Sequence, residues 1–484
     1  MHVSAIHPGK AEGIRPPLFV DLDGTLVLSD MMLEQILGLM KRNPLGWPKV
    51  FYWFTKGRPH LKEKLQETVA IDPATLPYNR PLLKDLRKEA ANGRSLYLAT
   101  GADKGVATAI ADHLDIFSGV LASDGKVNLV GEAKLQAIEQ EVKGEPFAYI
   151  GDSKKDLPIF RKAAAYSLVN PSNALKAQCL PLGESETIYQ STSMVLGTIL
   201  KALRPHQWTK NVLVFVPLLT AHAWQDPLNI TKAVVAFLAF CAMASATYLI
   251  NDMLDIQSDR HHPEKRNRPF ASGTLPIGTG LMLVPLFFAM GLVLGWLLGL
   301  PFFTVVLIYF FTSQLYSVYL KSLPLLDVTA LAGLFTLRVF SGAYAIGVPL
   351  SHWLLAFSMF LFFSLAFVKR YAELHNLRSR GGQVTLGRGY SVDDIDQLAL
   401  FGVISGFMSV LVLALYLSSP EVEVLYRKPE ILWLLCPVFL LWINWIWMAA
   451  KRGNMHEDPI LFAFKDPASY IAGCLMISAV FFSL

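Results

Sequence analysis

The chain has 484 residues, 53% of them hydrophobic and 17% charged, with a formal net charge of only +5. That length exceeds one ordinary core, and the near-neutral balance gives no case for a nucleic-acid partner. A mean hydropathy of +0.40 is high for a soluble protein and low for one embedded in a membrane throughout, so a soluble part joined to a membrane part is expected.

The apolar excess lies almost entirely after residue 200. The four cysteines (Cys179, Cys241, Cys436, Cys474) are scattered, with neither zinc spacing nor a disulfide framework, which suits a reducing compartment. No basic stretch followed by a short apolar one opens the chain, so no cleaved signal peptide is expected and the first domain should stay in the cytosol.

In chain order, Pro16-Pro17-Leu18-Phe19-Val20 reads as a buried parallel strand running into Asp21. Residues 94–99 and 146–150 repeat the pattern, each closed by Gly or Thr plus Asp, with helical text at 81–92 and 105–114 between them. This alternation predicts a doubly wound α/β domain over 1–182. Residues 31–79 read as a small helical cap carrying exposed aromatics, and 183–200 as a polar linker.

Asp21-Leu22-Asp23-Gly24-Thr25 places two carboxylates at the carboxyl end of a strand, the usual ligand crevice of such sheets. Phosphoryl transfer through an aspartyl-phosphate needs one carboxylate as nucleophile and another to protonate the leaving oxygen. It also needs a cation that lets two anions approach. Asp152 and Asp156 in Gly151-Asp152-Ser153-Lys154-Lys155-Asp156 supply further carboxylates, while Thr100 and Lys134 can hold phosphate oxygens. In this order the elements resemble the haloacid dehalogenase superfamily over 16–180. The resemblance implies Asp21 as nucleophile, Asp23 as general acid/base, and Mg2+ held by Asp21, the backbone of Asp23 and Asp152 with Asp156 in support. Lys126 competes with Lys134 for the lysine position, and a non-enzymatic scaffold is the alternative for the whole domain.

Beyond residue 200, nine apolar runs are long enough, or nearly so, to cross a bilayer: about 211–227, 231–250, 278–299, 301–319, 324–346, 350–368, 397–418, 430–449 and 467–484. Loops on one side hold Lys201, Arg204, Lys210, Arg260, Lys265, Arg266, Arg268, Lys321, Lys369, Arg370, Arg378, Arg380, Arg388, Lys451, Arg452 and Lys465. The other side holds little beyond Lys232, Arg427 and Lys428. The excess predicts a multi-pass inner-membrane protein with the first set, and the N-terminal domain, in the cytosol.

Asn251, Asp255 and Asp259 are spaced by four and Asp252 precedes Asp255 by three, so a continuous helix would put them on one side. Repulsion between such acids becomes binding when a divalent cation joins them, and oxygen-only ligands suit Mg2+. Residues 260–269 follow, and their basic groups, Arg266 among them, can pair with diphosphate or phosphate oxygens. His261 and His262 read as loop residues rather than zinc ligands. This segment resembles the first aspartate-rich motif of the UbiA superfamily of membrane prenyltransferases, and the nine runs over 201–484 agree. The second aspartate-rich motif of that family is replaced by Val368-Lys369-Arg370-Tyr371-Ala372-Glu373, which suits an anion, or else forms a Lys369–Glu373 surface pair.

Arg204-Pro205-His206-Gln207-Trp208-Thr209-Lys210-Asn211, Tyr316 to Lys321, Arg388-Gly389-Tyr390 and the 452–459 stretch resemble the decaprenyl-phosphate phosphoribosyltransferase branch. That branch implies phosphoribosyl diphosphate and a polyprenyl phosphate lipid as substrates, with a second Mg2+ at Asn251, Asp252, Asp255 and Asp259. Lys210, Lys321, Arg338, Lys369 and Arg388 then hold the lipid phosphate. Asp327 and Arg338, eleven residues apart, are expected to face one cavity, with a structural partner as the alternative for Arg338 and membrane anchoring for Lys321. True prenyl transfer to an aromatic or other acceptor remains the rival reaction. A homo-oligomer is compatible with either.

Overall fold

The computed structural model describes residues 15–183, 185–190, 195–379, 381, 388–455 and 458–484. Arg380 and part of the 183–200 stretch lie outside the described residues. The chain forms two compact units, one of residues through Ala202 together with Leu249–Met282, the other of Leu203–Tyr248 and Leu283–Leu484.

In the first unit, six strands make one parallel sheet: β1 (Leu18–Val20), β2 (Leu96–Asp103), β3 (Gly119–Ser123), β4 (Ala148–Gly151), β5 (Ala165–Val169) and β6 (Ile188–Tyr189). Their spatial order is β3-β2-β1-β4-β5-β6. β1 and β4 are apolar and buried throughout because helices cover both faces, as parallel sheets require. Leu82, Leu86, Val106 and Ile110 pack against one face, and Leu135, Ile138, Ile159 and Phe160 against the other. The expected linker contributes β6: its apolar pair Ile188–Tyr189 extends the sheet against Leu168 and Val169, so the sheet runs past residue 182.

The order reverses between β1 and β4, since the chain winds to β2 and β3 on one side and to β5 and β6 on the other. Ligand crevices open at such switch points, beyond the carboxyl ends of the strands. The cap consists of helices Met31–Arg42, Trp47–Thr55 and Arg58–Thr68, closed around Leu39, Leu61, Leu65 and Val69.

Segment 249–282 is bound to the same unit by a bidentate pair. Arg260 donates through Nη1 to Glu34 Oε2 (2.8 Å) and through Nη2 to Oε1 (2.5 Å), with Nε on the Ala271 carbonyl. Both side chains are withdrawn from solvent, at 3% and 0% exposure, so either charge alone would be strongly destabilising.

The second unit is helical. Helices Leu300–Val318, Leu326–Ile346, His352–Ser379, Ile395–Leu417, Leu435–Lys451 and Pro467–Ser483 pack around two cores. Gly402 and Gly406 face Trp447 and Ile443 so closely that only a hydrogen fits between the helices. Helix Pro227–Leu254 contributes to both units, its last turn belonging to the first.

Among the described residues, seven helices, rather than nine, are long and apolar enough to cross a membrane. The run at 211–227 instead folds as a tight helix Pro205–Phe215 and a short one, Val216–Thr220. His222, at φ 52°, ends that stretch in the left-handed region. The last run forms a shorter apolar helix of 17 residues, Pro467–Ser483.

Candidate functional site

The carboxyl ends of β1 and β4 deliver Asp21 and Asp152 to one cavity of about 240 Å3, lined also by Asp23, Asp30, Lys62, Lys134, Lys155 and Asp156. One carboxylate oxygen each from Asp21, Asp152 and Asp156 falls within 4.8 Å of the others. Lys134, buried at the start of helix Glu132–Val142, stands 3.0 Å from Asp21 Oδ1 and donates to Asp156 Oδ1 (3.2 Å) and the Tyr149 hydroxyl (2.9 Å). Of Lys126 and Lys134, Lys134 is the one that lines this cavity. Lys126 is capped onto Asp124 in an exposed turn.

Asp23 accepts from the Met31 amide (2.9 Å), which fixes it to the first turn of the cap. Gly24, at φ 74°, lets the turn that leaves β1 pass close to Asp152: a Cβ there would fall 2.3 Å from Asp152 Oδ2. Thr100 is buried on β2 and its hydroxyl accepts from the Ala102 amide, while its neighbour Gly101 lines the cavity.

Burial pushes the Asp21 carboxyl up to about 6 against the pull of Lys134, with Asp156 adding to the rise. Burial and the Asp21 and Asp156 charges lift Asp152 to about 7, and burial with Asp30 raises Asp23 well above the usual range. For Lys134, burial opposes the charged form but Asp21 and Asp156 overcome it, and its basicity rises. Asp156 Oδ2 is buried with no hydrogen-bond partner. An unsatisfied carboxylate oxygen beside two others is costly as it stands, and an all-oxygen set of this kind suits Mg2+. The residues fit the ion.

At the end of helix Pro227–Leu254 the acids divide. Arg268 bridges Asp252 (3.2 Å) and Asp259 (2.7 Å), and Asp255 pairs with Lys41 of the cap (2.7 Å). Asp252, Asp255 and Asp259 thus form no three-carboxylate group, as a shared ion at Asn251, Asp252, Asp255 and Asp259 would require. The helix ends at Leu254, Asp255 caps the next short helix, and a guanidinium neutralises the other two acids. Their oxygens are nonetheless the donor type that suits Mg2+, with Arg268 now on Asp252 and Asp259 and Lys41 on Asp255. Arg266 is exposed and lines an open groove with Arg80, Lys84 and Arg87.

In the helical unit, Lys210 and Lys369 both donate to one oxygen, Oδ2 of Asp458, at 2.9 and 3.0 Å. Arg370, almost wholly buried, is held by Asp327, Glu373 (2.6 Å) and the Tyr316 hydroxyl (2.9 Å). Arg388 pairs with Glu373 at 3.4 Å, and the Tyr390 hydroxyl donates to Asp327 (2.6 Å).

Asp327 and Arg338 do not share partners. Arg338 donates to Asn211 Oδ1 (2.9 Å), the Tyr309 hydroxyl (2.9 Å) and the Leu334 carbonyl, all neutral, which gives it a structural place. Lys321 is half-buried in the turn Leu320–Ser322. Lys369 and Glu373 are not each other's partners.

Sequence reasoning missed Asp458, Arg370 and Arg268 as members of these clusters. A helix-capping Asp before Pro459 was the available signal for the first. Arg370 and Arg268 lay within the 368–373 and 260–269 stretches already read as suiting anions, but their carboxylate partners were not legible.

Residues 212–465 match the model of the UbiA prenyltransferase family. The chain is 37% identical over 465 residues to uncharacterized protein y4nM of Sinorhizobium fredii, which spans 96% of this chain and 90% of that one. It is 35% identical to nodulation protein NoeC of Azorhizobium caulinodans over 57% of this chain and 89% of that one. It is also 38% identical to decaprenyl-phosphate phosphoribosyltransferase of Corynebacterium glutamicum, over 36% of this chain and 54% of that enzyme.

Seven described helices long and apolar enough to cross a membrane, together with a family match over residues 212–465, define a membrane transferase of the UbiA type. The chain belongs to the UbiA prenyltransferase family.

Proposed function

We propose that the membrane unit transfers 5-phosphoribose from phosphoribosyl diphosphate to a polyprenyl phosphate, and that the fused N-terminal domain is a haloacid dehalogenase-type phosphatase. The observation carrying the first part is the shared carboxylate oxygen of Asp458. Two ammoniums on one anion leave an excess positive charge in a buried setting, where a phosphate is a better partner than a neutral acceptor. The likeness to the Corynebacterium enzyme supports the same substrate pair.

In this reading Lys210 and Lys369 hold the lipid phosphate, and Arg388, freed in part from Glu373, assists. Mg2+ held by Asn251, Asp252, Asp255 and Asp259 would neutralise the departing diphosphate. Arg268 and Arg266 offer guanidinium donors to the same anion, and pairing with diphosphate is what would draw Arg268 off its two carboxylates. Arg338 and Lys321 keep supporting places.

In the N-terminal domain, Asp21 attacks a phosphomonoester while Asp23, kept protonated by burial, gives its proton to the leaving oxygen. Asp23 then takes a proton from the water that cleaves the aspartyl-phosphate. Lys134 orients Asp21 and steadies phosphate oxygens. Mg2+ held by Asp21 and Asp152, with Asp156 behind them, would offset the charge between nucleophile and phosphate. The natural substrate on this reading is the ribose 5-phosphate of the transferred group, and its hydrolysis makes the sequence irreversible.

The rival is prenyl transfer from a prenyl diphosphate, the activity that gives the family its description. Membranes given radiolabelled phosphoribosyl diphosphate and polyprenyl phosphate, and in a parallel incubation a prenyl diphosphate with an aromatic acceptor, separate the two. Label in the lipid extract supports the proposal. Label absent there, with prenyl diphosphate consumed instead, supports the rival.

A further inference from the structure

The cap helix Trp47–Thr55 has two unlike faces. Val50 and Trp53 turn inward against Leu39, Leu61, Leu65 and Val69. Trp47, Phe51 and Phe54, at spacings of four and three, form the opposite stripe and are 61%, 64% and 50% exposed. Leu45 and Tyr52 extend it at 82% and 55%. A contiguous aromatic patch of this kind marks an interaction surface rather than an ordinary exterior.

The charges around the patch indicate what covers it. From Gln35 through Lys62 the chain contains no Asp or Glu, but has Lys41, Arg42, Lys49, Lys56, Arg58 and Lys62. Lys41 is engaged by Asp255 and Lys62 by Asn128, whereas Lys49, Lys56 and Arg58 are exposed around the aromatic stripe. Lys56 stands over the Tyr52 ring. Trp, Tyr and Phe flanked by lysines, with acids excluded, is the composition of a helix lying in the headgroup region of an anionic bilayer. Among the described residues seven helices are long and apolar enough to cross a membrane, so the cap is covalently joined to segments that can sit in a bilayer.

We propose that helix Trp47–Thr55 is an interfacial anchor that seats the cap on an anionic lipid surface. The next helix, Arg58–Thr68, contributes Arg58 and Lys62 to the lining of the aspartate cavity. Seating the cap on lipid headgroups therefore brings the cavity to phosphate carried on a lipid, and in this respect the anchor rests on the phosphatase reading.

The test uses the full chain with Phe51→Cys and the exposed Cys474→Ser, labelled with an environment-sensitive fluorophore and reconstituted in phosphatidylcholine vesicles with or without 30–40% phosphatidylglycerol, roughly the anionic content that gives cytoplasmic leaflets their potential. Expected are a blue-shifted emission, quenching by lipids spin-labelled near the headgroup, and at least a twofold stronger quenching with phosphatidylglycerol. Shielding from aqueous iodide should follow. Trp47→Ser/Phe54→Ser in the same background should abolish both effects while hydrolysis of p-nitrophenyl phosphate in solution stays at its starting rate.

Full iodide access with no lipid quenching overturns the proposal. So does shielding from both quenchers with cross-linking of position 51 between chains, which would assign the patch to a second copy. If the chain hydrolyses no phosphomonoester, the phosphatase reading falls, and the fluorescence still decides the anchor.

Discussion

The ammonium of Lys134 lies 3.0 Å from the Asp21 carboxylate, although the two residues come from different elements of the chain and both are almost completely buried. Lys134 also reaches Asp156, so one cation serves two carboxylates, while Asp152 completes the group. A group of buried carboxylates with more negative than positive charge is arranged to take up a cation.

Replacing Asp21 by Asn removes the nucleophile but keeps its shape. Hydrolysis of p-nitrophenyl phosphate by the purified chain should fall on the order of a thousandfold or more, as losses of nucleophiles do. Lys134 keeps Asp156 as partner, so the thermal midpoint should change little. A variant with undiminished rate would leave the domain a scaffold.

The raised acidities set a pH dependence. Asp21 and Asp152 titrate near 6 and 7 in the folded chain against an ordinary 3.8. Between those values the folded state holds protons that the unfolded chain has released, so without a divalent cation the contribution of these two carboxyls to stability is largest below about pH 4 and is lost as pH rises to about 7. Mg2+ requires the deprotonated carboxylates, so its stabilising effect should grow over the same window. Thermal unfolding in detergent at pH 5 and pH 8, with chelator or with Mg2+, checks this. An equal Mg2+ effect at both pH values would contradict it.

Gly24→Ala tests the geometry of the turn. The position is left-handed at φ 74° and the added methyl would meet Asp152 Oδ2 at 2.3 Å. The backbone strain alone is about 1–2 kcal/mol. Phosphatase activity should be lost with a lower melting temperature, and transferase activity in the same membranes should persist.

In the helical unit, Asp458 is the residue on which two lysines depend. Asp458→Ala leaves both ammoniums unpaired and should cost about 3–5 kcal/mol, the range for breaking a buried pair. Lys369→Met removes one donor and keeps the packing. The expected result is a KM for polyprenyl phosphate raised at least about tenfold, the effect of losing about 1.4 kcal/mol of binding. An unchanged KM would remove Lys369 from the acceptor site.

The aspartate pocket was legible because its residues sit where strands end, and strand ends are marked by local signals: an apolar run, then Asp or Thr, then Gly. Parallel pairing alone brings Asp21 beside Asp152. The membrane unit was less legible. Helical spacing put Asp327 and Arg338 on one side, but which neighbour each met depended on side chains from distant helices, Arg370 and Tyr390 for one and Asn211 and Tyr309 for the other. The acidic run at 251–259 was legible as a run, but the pairing of its acids was not, and the reason is local. A helix break at Asp255 and a later arginine, Arg268, divide acids that an unbroken helix would have kept together.

The most direct test is the mass of the lipid made from polyprenyl phosphate and phosphoribosyl diphosphate by membranes containing either the native chain or its Asp21→Asn variant. The expected products are a polyprenyl phosphate bearing ribose from the native chain and one bearing ribose 5-phosphate from the variant. A lipid unchanged in mass with both proteins would contradict the assigned transfer.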